Sequence, residues 1–164
     1  MLSRWQQAGA GALLGLALSG CTPAFHPQPA PPSLLARSSE AVALIKQLGW
    51  GTPEALAAAR PRLEPLWPEL DWEGNGCSTP KGLDLGHRED FTPACNVHDF
   101  AYHNLRVLEP TAANRRASDE AFRRNLWAIC ERKPANAQLS CYSAAAAYYA
   151  AVRLRGSTRF APGT

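Results

Sequence analysis

Helical patterning dominates this chain, and no segment shows the sustained apolar/polar alternation or the tight turns that mark a sheet. Starts and stops divide the pattern into elements. Ser39 can cap a short helix through Leu48, ended by Gly49 and Gly51; Thr52 and Pro53 open a second that stops before Pro61. Pro61, Pro65 and Pro68 make the next stretch irregular, and Asp71 to Asp90, with Gly74, Gly76, Gly82 and Gly86, reads as a long loop of the kind that usually serves function. Thr92 and Pro93 then supply a side-chain cap and a first-position proline for a helix that runs to about Leu108, ahead of Pro110. Two more follow, from about Asn114 to Arg132 before Pro134, and from about Ala137 to Arg155 with Gly156 as its stop. The expectation is an all-α domain in which the helix after Thr92 and the next one pack as an antiparallel pair.

The N-terminal segment does not fit this scheme. Arg4 precedes an apolar run, Ala8 to Leu18, too short to span a membrane and followed by Leu18-Ser19-Gly20-Cys21. That ending resembles a bacterial lipobox, which implies a signal peptide over residues 1–20 and a lipid-modified Cys21. Several acyl chains give stable attachment, each buried methylene contributing about 0.8 kcal/mol. Pro23, Pro27, Pro29, Pro31 and Pro32 make residues 21–37 an extended tether, which leaves residues 38–164 as one helical domain. The expected setting is an exported monomer, lipid-anchored in a bacterial cell envelope. The formal net charge of +3, to which the leader's Arg4 contributes, gives no case for nucleic acid.

With Cys21 set aside, Cys77, Cys95, Cys130 and Cys141 form an even set in an exported chain, which implies two disulfides. Three connectivities are open, with pairing of sequence neighbours the leading one. Cys95 and His98 also have half-site spacing for zinc, but no second closely spaced ligand pair accompanies them.

The candidate chemistry lies in Ala94 to Asn104, ACNVHDFAYHN. Neighbouring helical residues diverge by about 100°, so His98 can face another helix while Asp99 faces the loop. Hydrolysis of an ester by water needs a base, a group that holds that base in one tautomer, and an electrophile for the oxyanion. His98 is the base candidate. Asp119, at a height that an antiparallel neighbour could bring opposite His98, is the orienter, with Glu120 and Glu109 as competitors. Calcium, which takes carboxylate, amide and backbone oxygens, is the electrophile that Asp99 and the Asn75-Gly76-Cys77 stretch could hold. Asp71 to Gly82 is not an EF-hand, since its twelfth residue is Gly82 and Cys77 occupies a ligand position. A serine-esterase reading lacks any G-x-S-x-G elbow. Tyr102, one turn after His98, could reach the orienting carboxylate or simply be a buried tyrosine. His87 and His103 read as lone, exposed histidines, Arg115, Arg116, Arg123 and Arg124 as a solvated basic face, and Trp50, Trp67, Trp72 and Trp127 as core.

The order DWEGNGCS, ACNVHDFAYHN, SDEAF, then Cys130 and Cys141 before a tyrosine-bearing helix, resembles the small secreted phospholipase A2 enzymes of bacteria and fungi. The resemblance runs from about Trp67 to Ala151. It implies calcium-dependent hydrolysis of the sn-2 ester of glycerophospholipids, with His98 as general base, Asp119 as its partner, Asp99 and the Gly76 carbonyl as calcium ligands, and bridges Cys77–Cys95 and Cys130–Cys141. Asn75 departs from it, standing where the family commonly has a calcium-binding aspartate. The amide supplies no charge, so calcium affinity should fall or Asp84 or Asp90 compensate. The alternative function is a catalytically weak or inactive surface lipoprotein that binds lipid or a partner.

Overall fold

The computed structural model describes residues 34–78 and 86–160. The expected signal peptide, Cys21, the tether's first residues and Asp84 lie outside them. Helices α1 (Leu34–Gly49), α2 (Pro53–Leu63), α3 (Arg88–Leu108), α4 (Ala112–Glu131) and α5 (Ala135–Phe160) follow in order, with a 3-10 turn, Glu64–Leu66, after α2. The fold is all-α, with no strand among the described residues. No described helix is long and apolar enough to cross a membrane.

Several boundaries differ from the sequence expectation, each for a local reason. Thr92 and Pro93 do not open α3. The helix begins at Arg88 after His87, whose φ of 53° is left-handed, and Pro93 sits inside it while the Thr92 hydroxyl donates back to the Arg88 carbonyl at 3.0 Å. The added turn buries Phe91 completely and places Asp90 within 2.6 Å of Lys133 Nζ, and the proline ring points to solvent. Pro61 is likewise inside α2, exposed near its end, where a missing N–H frees only a carbonyl that water reaches. Ser39 is within α1, its hydroxyl on the Ala36 carbonyl, rather than at its start. Thr111 caps α4 through Asn114 N–H at 3.1 Å, so that helix starts before Asn114.

Gly156 is not a stop but an interior residue of α5, at a point where a Cβ would lie 2.5 Å from the Tyr102 hydroxyl. The helix continues because Phe160 is buried edge-on against Tyr102, ring centroids 4.9 Å apart.

Helix α3 is the central element. One of its faces packs with α4 and α5 around Phe91, Phe122, Leu126 and Tyr148, and the other with α1 and α2 around Ile45, Trp72, Phe100 and Leu105. Contacts His98–Phe122 and Tyr102–Asp119 run in opposite senses along α3 and α4, so this pair is antiparallel as expected. Phe91–Tyr148 and Tyr102–Phe160 run in the same sense, which makes α5 parallel to α3. The bridges are Cys77–Cys95 and Cys130–Cys141. The first ties the loop to α3 and the second closes the α4–α5 hairpin, each worth about 2 to 4 kcal/mol by restricting the unfolded chain.

Candidate active site

The His98, Tyr102 and Asp119 side chains are each held by a helix whose packing leaves them little freedom. His98 is 7 % exposed, its ring between Tyr102 and Phe122 at centroid distances of 4.1 and 4.8 Å. Its Nε2 lies 3.1 Å from Asp119 Oδ1. An ionised carboxylate can only accept, so Nε2 carries the proton and Nδ1 is left as the lone-pair nitrogen.

Asp119 is completely buried, a costly position for a charge unless its oxygens are satisfied. They are. Oδ1 also accepts from the Tyr102 hydroxyl at 2.5 Å, Oδ2 accepts from Arg153 Nη1 at 2.8 Å, and Arg115 Nη1 stands 3.6 Å from Oδ2. Burial pushes this carboxyl up, but the hydrogen bonds from His98, Tyr102 and Arg153 outweigh it and hold it below its ordinary value. Burial first, and then the bond to Asp119, raise the Tyr102 phenol far above its usual range, so Tyr102 stays a donor.

The competitors of Asp119 are engaged elsewhere, Glu120 with Tyr149 and Arg123 and Glu109 with Lys46. Of the four arginines read as a solvated face, Arg115 turns toward Asp119, Arg123 pairs with Glu120, and Arg124 donates to the Trp50 carbonyl. His87 and His103 are not lone either. His87 Nδ1 meets Asp90 and its Nε2 meets Ser140 Oγ, while His103 Nδ1 is 2.9 Å from Asp71 Oδ2.

The loop from Asp71 to Ser78 is fastened to α3 along its length. Asn104 brackets Asp71, accepting from its N–H at 2.8 Å and donating to its carbonyl at 2.9 Å. Asn96 Oδ1 accepts the Gly76 N–H at 3.0 Å, and Gly74 lies so close to Asn96 that a Cβ would come 2.5 Å from that oxygen. Gly76 itself has a φ of 71°, the left-handed region that glycine tolerates.

These restraints bring Asn75, Gly76 and Asp99 to one cleft with His98 and Tyr102, of about 440 Å³, with Phe122 and Val152 on its apolar wall. Asp99 Oδ2 is buried and accepts no hydrogen bond. Burial raises the Asp99 carboxyl, opposed by His98, His103 and the Asn75 backbone N–H. Among the described residues no three His, Cys, Asp or Glu side chains gather into a metal cluster. A hard cation held here would rest on one carboxylate and on uncharged oxygens, a donor set that suits calcium, and the orphaned Oδ2 fits such a charge. The Asn75 amide oxygen is engaged by Ser78 Oγ at 3.3 Å. Asp90, named as a compensating acid, is committed to Lys133 and His87 and does not serve.

Sequence reasoning missed Arg153 and Asn96. Arg153 lies beyond an alanine-rich stretch that reads only as packing, and nothing local links it to Asp119; Asn96 sits one residue after a bridging cysteine, where its side chain looks unremarkable.

The chain is similar to a protein named Secretory phospholipase A2 from Beauveria bassiana, 35 % identical over 91 residues, 53 % of this chain and 44 % of that one. A second Secretory phospholipase A2, from Arthroderma benhamiae, is 34 % identical over 76 residues, 46 % of this chain and 49 % of its own. Conodipine-P2 from Conus purpurascens is 37 % identical over 62 residues, 38 % of this chain and 32 % of its own. The chain thus spans less than half the length of each of these relatives. Residues 53–156, most of the chain, match the family described as prokaryotic phospholipase A2, and the chain belongs to that family.

Proposed function

We propose that this protein is a calcium-dependent phospholipase A2 that hydrolyses the sn-2 ester of glycerophospholipids, acting as an exported monomer held at a membrane through Cys21. The observation that carries the reading is the buried His98–Asp119 pair, 3.1 Å apart, opening on the same cleft as the orphaned carboxylate oxygen of Asp99. His98 Nδ1 takes a proton from a water as that water's oxygen attacks the ester carbonyl carbon. The imidazolium so formed is stabilised by Asp119, which Tyr102 and Arg153 keep ionised and in place. Collapse of the tetrahedral species breaks the bond to the glyceryl oxygen, and His98 returns the proton to that leaving oxygen, which yields a fatty acid and a lysophospholipid. Calcium bound by Asp99, the Gly76 carbonyl and Asn75 would polarise the ester carbonyl and stabilise the charge that develops on its oxygen.

The disulfides and the secretory names of the fungal relatives support an exported setting. Fatty-acid release from phospholipid vesicles, measured with calcium and with chelator for the unaltered protein and for His98→Ala, tests the proposal. Release that stops with chelator and in His98→Ala is the expected result. Full activity in His98→Ala refutes the mechanism, and no release under any condition refutes hydrolysis and favours an inactive surface lipoprotein that binds lipid or a partner.

A further inference from the structure

The mouth of the cleft is cationic in a way that the hydrolytic chemistry does not use. Arg106 of α3 and Arg155 and Arg159 of α5 line it together with His98 and Asp99. Their convergence follows from one helix contact. Tyr102 places its hydroxyl against Gly156. Arg106 is one turn beyond Tyr102 on α3, and Arg155 and Arg159 flank Gly156 on α5, four residues apart and therefore on one face. Two neighbouring helices thus bring three guanidinium groups to the same rim, all exposed.

Elsewhere several arginines pair with carboxylates, as in Arg37–Glu69, Arg60–Glu64, Arg123–Glu120, Arg132–Glu54 and Arg153–Asp119. Among the described residues no carboxylate lies within ion-pair distance of Arg106, Arg155 or Arg159. The rim therefore carries net positive charge, while the wall beneath it includes Phe122, Ala151 and Val152. An amphiphile with an apolar tail and an anionic head matches both parts.

Guanidinium groups bind phosphate by charge-assisted, often paired hydrogen bonds. Every diacyl glycerophospholipid offers a phosphate, so this contact alone selects nothing. The group beyond the phosphate does. A choline or ethanolamine head would set a fourth positive charge among the three guanidiniums, whereas a glycerol head adds none. We infer that Arg106, Arg155 and Arg159 are specificity residues that make the cleft select anionic glycerophospholipids over zwitterionic ones. The inference rests on the reading of this cleft as a phospholipid site.

Binding tests it without turnover. Monomeric dihexanoylphosphatidylglycerol and dihexanoylphosphatidylcholine, both below their micellar concentrations, are titrated by NMR into His98→Ala protein in calcium-containing buffer. The same titrations are run with Arg106→Gln, Arg155→Gln and Arg159→Gln added together, and with all three changed to Lys. Expected is about tenfold tighter binding of the glycerol lipid, equivalent to about 1.4 kcal/mol, which the glutamine triple variant loses and the lysine triple variant largely keeps. The preference should also shrink as salt rises, since these charges are exposed. Equal binding of the two lipids, or a preference that survives the glutamine triple variant, overturns the inference. A preference seen on vesicles but absent with monomers overturns it too, because it assigns the arginines to adsorption on a charged surface. Selective binding by a protein that hydrolyses neither lipid would refute the hydrolytic reading and leave the head-group inference standing.

Discussion

Arg153 provides a measurable test of how the buried carboxylate is held. Its Nη1 lies 2.8 Å from Oδ2 of Asp119, which is completely buried, while Arg153 itself is 30 % exposed. Removing one partner of a buried ion pair typically costs about 3 to 5 kcal/mol, because a charge is left uncompensated. Two features reduce that here. Oδ1 keeps its bonds from His98 and Tyr102, and Arg115, 3.6 Å from Oδ2, can close part of the gap. Arg153→Met should therefore lower stability by about 2 kcal/mol, seen as a fall in Tm of about 6 to 10 °C for a domain of this size. Asp119→Asn removes the charge but keeps the shape, so in the double variant the two losses should not add, falling short of their sum by about 1 kcal/mol or more. The assay is thermal and urea unfolding of the four proteins of this cycle. In turnover, Arg153→Met should depress kcat more than KM, since Arg153 touches the positioning group and not the substrate. Additive losses, or a change in Tm under about 2 °C, would refute the idea that Arg153 is what allows Asp119 to be both buried and ionised.

Other substitutions probe the remaining supports. Gly156→Ala gains helix propensity of about 1 kcal/mol but forces a methyl against the Tyr102 hydroxyl, so a net loss of about 1 to 2 kcal/mol is expected; the same change in a Tyr102→Phe background should be better tolerated, and equal costs in both backgrounds would contradict the packing argument. Lys133 and then His87 hold the Asp90 carboxyl below its ordinary value, so its contribution is present above the unfolded pKa and is lost as pH falls through the lower folded one. Unfolding of Asp90→Asn should accordingly show a smaller loss of stability than the unaltered protein in acid below about pH 4, and parallel curves would count against it. Asn75→Asp should shift the calcium dependence of fatty-acid release to lower concentration by adding a charged oxygen, while an unmoved curve would remove Asn75 from the ligand set.

The helical class, the antiparallel α3–α4 pair and the facing of His98 to Asp119 were legible because each depends on local periodicity and one short connection. The helix ends were less so. Thr92-Pro93 and Gly156 carry strong local signals for a start and a stop, yet buried Phe91 and Phe160 reward continuing the helices past them. In the candidate site, the residues legible in the sequence were the His and Asp that the proposed chemistry calls for. Arg153, Asn96 and the partners of His87 and His103 were hidden because they act through contacts formed only when distant segments meet, such as the 34 residues that separate Arg153 from Asp119. A charged residue that neutralises a buried partner looks the same in sequence as one that faces water.

The fastening of the 71–78 loop to α3 has a consequence for how this scaffold can vary. Cys95, Asn96, His103 and Asn104, which secure the loop, lie on the same helix as His98 and Asp99. The proposed base and the proposed cation ligands therefore keep their mutual spacing whatever the neighbouring helices do, as marks on one ruler do. Helix α5 contributes the opposite wall and, beyond the single hold of Arg153 on Asp119, does not set that spacing. The width and lining of the cleft can thus drift through substitutions on the outer turns of α5, around Ala151, Val152 and Arg155, while the reacting groups stay in register. Under the proposed function, substrate choice and chemistry are in this sense separately adjustable, which makes α5 the element to diversify in a search for new lipid preferences.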